Sequence, residues 1–270
     1  MPELPEVETS RRGIAPHIVD STVTVVVVRN RRLRWPISRS VERHLQGSVV
    51  KAVDRRAKYL LIRTAEGAAI LHLGMSGSVC IVDRHTPAGV HDHVDIEFDS
   101  GKVLRFRDPR RFGSLHWSRN PLAHKLLKAL GPEPLGDEFD GHYLWQRSRG
   151  RRVSIKQFIM NAQVVVGVGN IYASEALYSA GINPRRAAGR ISLQRYERLS
   201  AAIREVLAEA IRAGGTTLRD FYGGDGEAGY FQQQLEVYGR HGKPCRACDT
   251  PITAIVQGQR STYYCKRCQT

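Results

Sequence analysis

Apolar and polar positions follow different periods in the two halves of the chain. In the first half they alternate. His93-Val94-Asp95-Ile96-Glu97-Phe98 and Lys102-Val103-Leu104-Arg105-Phe106-Arg107 repeat with period 2 on either side of the turn cluster Asp99-Ser100-Gly101, which predicts a β-hairpin. Further strands are predicted at Thr22–Val28, Ala69–His72 and Val79–Val82, with a helix over Glu6–Ile14 ahead of them. Short strands parted by turn residues, without regular helical interleaving, point to an antiparallel sandwich rather than a parallel α/β sheet. Gly131-Pro132-Glu133-Pro134-Leu135-Gly136 reads as a hinge, and beyond it the period changes. Leu193, Tyr196, Leu199, Ile203, Val206, Leu207, Ala210 and Ile211 keep helical spacing between an N-cap at Ser192 and a stop at Gly214-Gly215. A second helix is predicted over Asn170–Ala180, entered through Gly167-Val168-Gly169. The last 35 residues read as a small appended module, and no internal repeat is evident.

Composition narrows the classes. The 270 residues are 41% hydrophobic, enough to bury a sizeable core, which argues against intrinsic disorder and against a miniprotein scaffold. With 41 Lys+Arg against 26 Asp+Glu the formal charge is +15, so a polyanionic partner is expected, nucleic acid ahead of an anionic membrane surface. No apolar run approaches the roughly 18 residues of a membrane span. The opening residues are acidic and interrupted by Pro2 and Pro5, unlike a secretory signal, and a cytoplasmic location is expected. Of five cysteines, four crowd the end of the chain in two close pairs, a pattern of metal binding rather than disulfides.

Cys245-x2-Cys248-x16-Cys265-x2-Cys268 places two thiolate knuckles on either side of a stretch long enough for a hairpin, which predicts one tetrahedral Zn2+. Four thiolates leave no open coordination position, so the zinc is expected to be structural. From Arg240 onward the module carries Lys243, Arg246, Arg260, Lys266 and Arg267 against the lone acid Asp249, which suits a phosphate backbone. Cys80 reads as a core residue rather than a nucleophile. Gly167-Val168-Gly169-Asn170 lacks the third glycine of a dinucleotide fingerprint and reads equally as an anion cradle at a helix start or as a tight turn. Arginine clusters recur at 29–34, 105–111 and 147–152, the first two with an adjoining aromatic, which favours nucleic acid because rings can wedge between bases. Removal of Met1 would leave Pro2 as a free secondary amine beside Glu3 and Glu6. Such an amine is less basic than a lysine ammonium and can attack a sugar C1′ to give an iminium, with the carboxylates moving protons. On residue type alone a Pro-Glu terminus is more often a frayed end.

Taken in order, Met1-Pro2-Glu3-Leu4-Pro5-Glu6-Val7-Glu8-Thr9, Arg56-Ala57-Lys58-Tyr59, His72-Leu73-Gly74-Met75-Ser76-Gly77, Asp108-Pro109-Arg110-Arg111-Phe112-Gly113, Val166–Glu175 and the four-cysteine module resemble the bacterial formamidopyrimidine-DNA glycosylase family over the full length. Glu3-Leu4-Pro5-Glu6 resembles this family more than the endonuclease VIII branch, which typically has Glu-Gly-Pro-Glu and excises oxidised pyrimidines. The resemblance implies an α+β, multidomain protein: an N-terminal β-sandwich (1–131), a helical domain with a helix-two-turns-helix element (132–235) and a zinc finger (236–270). It implies a monomeric base excision repair enzyme acting on double-stranded DNA, nucleoid-associated when bound. That enzyme would excise 8-oxoguanine and formamidopyrimidines and nick the abasic strand by β,δ-elimination. By motif, Pro2 would be the Schiff-base nucleophile, Glu3 the acid/base, Lys58 the proton donor in β-elimination, and Arg260 a phosphate ligand active in δ-elimination. Met75, Arg110 and Phe112 would fill the void left by the extruded base, His72 and Asn170 would hold flanking phosphates, and His91 and either Arg151 or Arg152 would make other DNA contacts. Gly214–Gly229 would be a mobile loop over that base. A non-catalytic zinc-ribbon DNA-binding protein would share the basic clusters and thiolates without needing a free Pro2.

Overall fold

A computed structural model of the protein describes residues 2–214 and 235–270, so the expected loop at 214–229 and Met1 lie outside the described residues apart from Gly214. The described residues fall into two compact units, 2–128 and 129–213 with 235–270.

The first unit starts with α1 (Leu4–Ile18). It begins two residues before the predicted start because Glu3 is an N-cap and Pro5 sits in the first turn, where a missing N–H costs nothing. Eight strands follow, with the six-residue helix α2 (Ser40–Leu45) after the first of them: β1 (Val23–Val28), β2 (Ala52–Arg56), β3 (Tyr59–Arg63), β4 (Ala68–His72), β5 (Ser78–Asp83), β6 (Asp92–Phe98), β7 (Lys102–Arg107) and β8 (Ser114–Ser118). They form two antiparallel four-stranded sheets in the orders β1-β6-β7-β5 and β2-β3-β4-β8. The predicted hairpin is β6–β7, with Ile96 opposite Leu104. Val26, Ile96, Phe98, Leu104 and Phe106 from the first sheet, Leu60, Ile62, Leu71 and Leu115 from the second, and Val7, Ile14 and Ile18 from α1 make one core. The sandwich is therefore closed by a helix whose first turn is as buried as its middle.

In the second unit α3 (Gly141–Ser148), α4 (Ile155–Ile159), α5 (Asn170–Ser179) and α6 (Leu193–Arg212) pack Leu144, Phe158, Ile159, Tyr172, Leu177, Tyr196, Leu199 and Leu207 into a second core. Ser192 caps α6, its hydroxyl accepting from the Arg195 N–H. The α4 and α5 helices are joined through the turns of residues 160–169, the arrangement expected of a helix-two-turns-helix element. The carboxylate of Glu175 on α5 accepts backbone N–H bonds from Glu236, Val237 and Tyr238 at 2.8, 3.1 and 2.8 Å, seating the start of the terminal module on the helices. That module is the hairpin β9 (Thr253–Gln257) and β10 (Arg260–Tyr264). Both turn residues, Gly258 and Gln259, have positive φ (53° and 60°), as a type I′ turn requires. Among the described residues no helix is long and apolar enough to cross a membrane.

Helix α1 is fastened by charge as well as by burial. The Glu8 carboxylate receives Arg11 and Arg12 from its own helix at 2.9 Å and Arg55 from β2 at 3.2 Å. Burial pushes this carboxyl upward, but the bonds from Arg11 and Arg12 and the nearby charges outweigh it, so its pKa falls from 4.5 to about 2. Its stabilisation is therefore complete above pH 4.5 and is lost as the pH falls toward 2, an effect on the order of 2–3 kcal/mol. Glu8→Gln is expected to lower the midpoint of urea unfolding at pH 7 and to flatten the dependence of that midpoint on pH between 5 and 2.

Candidate functional site

The start of the chain is not frayed. Pro2 is buried, Glu3 is 3% exposed and Glu6 1% exposed. Glu3 has extended φ, ψ of −103° and −168°, and its backbone N–H donates to Glu6 Oε2 at 2.7 Å in a capping box. The sequence offered Glu6 as a second proton carrier beside Pro2; the structure engages it in the cap. Pro2 and Glu3 thus sit at the positive end of a fixed helix.

Lys58 lies on the two-residue turn between β2 and β3, which are paired from Arg56 to Tyr59. Ala57 before it has φ 55°, a conformation that non-glycine residues avoid and that surrounding contacts must hold. One such contact is the Arg55 guanidinium, which donates to the Ala57 carbonyl at 3.0 Å while also binding Glu8. On the neighbouring strand His72 pairs with Tyr59, ring centroids 4.7 Å apart. Burial first, then the cations of Lys58 and Arg34, push the His72 pKa down to about 4. Its Nδ1 accepts from the Gly74 N–H at 3.0 Å. At neutral pH His72 is therefore an uncharged donor through Nε2.

Met75 and Phe112 could have been core residues, but they are 42% and 43% exposed. Nor does Arg110 bridge Asp108. Its guanidinium lies 4.9 Å over the Phe112 ring, while the Asp108 carboxylate is taken by Ser76 and Gly113. Gly74 has φ +70°, and a Cβ there would meet the Phe112 and Gly113 backbone at 2.4 Å, so the loop of Met75 lies directly against the turn of Arg110 and Phe112. His91 joins this group through its carbonyl, which accepts the Asp108 N–H at 3.0 Å.

In the second unit the structure brings Asn170 and Arg260 together. Asn170 Nδ2, at the first position of α5, donates to the Ser261 carbonyl at 3.0 Å, and exposed Arg260 is the preceding residue. Lys156, only 1% exposed, donates to the same carbonyl at 3.1 Å and to Thr262 Oγ1 at 2.9 Å. Sequence reasoning passed over Lys156, and a lysine on a five-residue helix gives no signal to find it. Arg151 and Arg152 are exposed on the α3–α4 connection, apart from that pair in the hydrogen-bonding network. Gly150, with φ +72°, breaks the basic run because the chain turns into the left-handed region after α3. Several arginines of the clusters prove to be engaged by partners within the protein, Arg105 as a buried residue: Arg29 and Arg105 bind Asp95, Arg31 binds Glu42, and Arg149 bonds the Trp145 and Ile191 carbonyls.

The four thiols of Cys245, Cys248, Cys265 and Cys268 converge, all within 4.8 Å of one another. A tetrahedral zinc with bonds of about 2.3 Å sets its sulfurs about 3.8 Å apart. The observed separations of 3.8, 3.5 and 3.4 Å match this donor set and none of the thiols is in a disulfide. Tyr178 Oη lies 3.2 Å from Cys245 Sγ as an outer hydrogen-bond partner. Cys80 is half-buried on β5, and burial pushes its thiol up, away from nucleophilic character.

A sandwich with a buried Pro2–Glu3 start, a helix-two-turns-helix element and a thiolate zinc module together define a DNA-processing enzyme of the glycosylase class. Residues 1–115 match the formamidopyrimidine-DNA glycosylase N-terminal domain, 130–222 the formamidopyrimidine-DNA glycosylase H2TH domain, and 242–270 the zinc finger found in FPG and IleRS. The chain is 60% identical over 269 residues, all of both chains, to the formamidopyrimidine-DNA glycosylase of Stutzerimonas stutzeri strain A1501. Among solved structures it is similar to Lactococcus lactis Fpg complexed with abasic-site DNA (TM-score 0.91, 30% identity) and to a variant of that protein complexed with Fapy-dG-containing DNA (TM-score 0.92, 30% identity). Each likeness covers the whole of both chains. The chain belongs to the formamidopyrimidine-DNA glycosylase family. It is a DNA glycosylase of base excision repair with the AP lyase activity characteristic of that family, and its four cysteines form a structural zinc site.

Metal analysis is expected to find one zinc per chain. Stripping it, or Cys265→Ser, should open residues 235–270 to protease while residues 2–128 stay resistant, because the ligand bonds supply most of the folding free energy of so small a module.

Proposed function

We propose that the chain excises oxidised purines such as 8-oxoguanine and formamidopyrimidines from double-stranded DNA, and processes abasic sites, through Pro2. The observation that carries this reading is the burial of Pro2 and Glu3 on a capped helix start, since an amine that must reach one sugar carbon gains from being fixed in place. Once Met1 is removed, the Pro2 nitrogen bonds to C1′ as the bond from C1′ to the base nitrogen breaks, and the base leaves with a proton. Glu3 carries the proton that opens the sugar ring, leaving an iminium. Loss of a C2′ proton then expels the 3′ phosphate, with Lys58 supplying the proton for that step, and a second elimination expels the 5′ phosphate. Arg260 and Asn170, joined through Ser261, hold a flanking phosphate, and His72 is a phosphate ligand in its own unit. Met75, Arg110 and Phe112 occupy the void left by the flipped nucleotide, two apolar side chains filling space and one guanidinium bonding the orphaned base. His91 and Arg151 or Arg152 add outer contacts. We further propose the three-part organisation 1–131, 132–235 and 236–270 and a cytoplasmic enzyme associated with the nucleoid when bound.

Borohydride is expected to trap the chain covalently on abasic DNA, with the adduct lost in Pro2→Gly. Glu3→Gln should slow base excision about a hundredfold with duplex affinity nearly unchanged. Absence of a wild-type adduct, or mass spectra showing Met1 retained in every active molecule, would remove Pro2 from the reaction.

Because His72 donates as a neutral group, it releases no counterion. His72→Ala should weaken duplex binding equally at all salt concentrations, whereas Arg260→Ala should reduce the slope of log affinity against log salt by about 1. Titrations of both variants between 50 and 200 mM salt check this.

A further inference from the structure

Asp108 is 0% exposed and none of its polar groups is idle. Its Oδ1 accepts from Ser76 Oγ at 2.8 Å and its Oδ2 from the Gly113 N–H at 2.7 Å. Its backbone N–H donates to His91 O at 3.0 Å, and its carbonyl accepts from the Arg111 N–H at 3.2 Å and from His93 Nε2 at 2.8 Å. Ser76 in turn accepts the Arg110 N–H at 3.2 Å. One buried carboxylate therefore grips both the residue after Met75 and the residue after Phe112, and its serine partner grips Arg110. Steric fit reinforces the bond pattern. A Cβ on Gly113 would meet the Phe106 ring at 2.6 Å and the His72 carbonyl at 2.8 Å, so the two loops interlock with no room to slide. Arg111, between Arg110 and Phe112, is held at φ 56°, a conformation the surroundings must impose.

We propose that Asp108 is a positioning residue that welds Met75, Arg110 and Phe112 into one preassembled wedge, so that the three enter the duplex together. This rests on the void-filling reading of those three residues. Charge-assisted bonds to a desolvated carboxylate are strong, and breaking one leaves a buried group without its partner, so the wedge is rigid before DNA arrives. Rigidity of this kind matters where a base pair has to be opened and is irrelevant where there is no stack to enter.

The test uses full-length, zinc-loaded enzyme carrying Ser76→Ala or Asp108→Asn, with Met75→Ala as a reference. Each is assayed in single turnover on duplex 8-oxoguanine, by borohydride trapping on a single-stranded abasic oligonucleotide, and by the fluorescence of 2-aminopurine placed next to the lesion. Ser76→Ala and Asp108→Asn are expected to slow duplex excision about tenfold and to blunt the 2-aminopurine change, with single-strand trapping within about twofold of wild type. Equal losses on both substrates would make Asp108 a general scaffold residue and overturn the proposal, as would unchanged duplex excision in both variants. If Met75→Ala leaves duplex excision and fluorescence unchanged, the void-filling reading fails and the proposal with it. Wild-type enzyme that traps no abasic DNA would overturn the Pro2 chemistry separately. Should Asp108→Asn fail to fold, Ser76→Ala alone decides, since it removes one hydroxyl from a half-buried loop.

Discussion

The seating of helix α1 governs what the first unit can do. Its apolar side, Val7, Ile14 and Ile18, fills the sandwich core, yet apolar contact does not fix where a helix begins or how it is rotated. Glu8 supplies that information. A carboxylate this buried is tolerated because guanidinium groups surround it, and its removal would leave those guanidinium groups crowded together without their shared counter-charge. Arg55 reaches from Glu8 to the Ala57 carbonyl, so the helix that presents Pro2 and Glu3 and the turn that presents Lys58 share one anchor. The groups proposed for the two chemical steps are thereby referred to a common frame.

Much of the fold was legible in the chain because it rested on periodicity. β7 has the predicted bounds, β1 starts one residue later than predicted, β4, β5 and β6 extend the predictions by one or two residues, and α5 and α6 fall where spacing and caps placed them. The remainder escaped for identifiable reasons. β3, Tyr-Leu-Leu-Ile-Arg, is buried at three successive positions and shows no alternation. β2 and β8 are edge strands with mixed polarity, and α2 and α4 are shorter than two helical turns. Ridges of sequence that short carry too few positions for either period to register.

The site divides in the same way. The zinc ligands were readable because metal coordination demands a fixed residue type at a fixed spacing. The arginines were not, because charge in a sequence does not reveal whether a carboxylate awaits it. Arg105 and Arg29 converge on Asp95, on the face of the sheet opposite the core residues Ile96 and Leu104, and Arg105 also ties down the Thr86 and Pro87 carbonyls of the loop that leads to His91. Arg34, by contrast, is exposed over Trp35 and bonded through its backbone to Gly113. The neutral state of His72 and the burial of Lys156 depend on contacts between residues far apart in the chain and were open to no reading of local pattern.

The shared acceptor at Ser261 has a mechanical consequence. A carbonyl oxygen has two lone pairs, and here one faces the Lys156 ammonium and the other the Asn170 amide, donors rooted in different helices. The peptide plane is thus clamped from two directions, and the metal-bearing hairpin is denied the swivel that zinc modules on free linkers enjoy. Within the second unit, helices and hairpin must travel as a single lever, and the reach of Arg260 is set by the helices as much as by the metal.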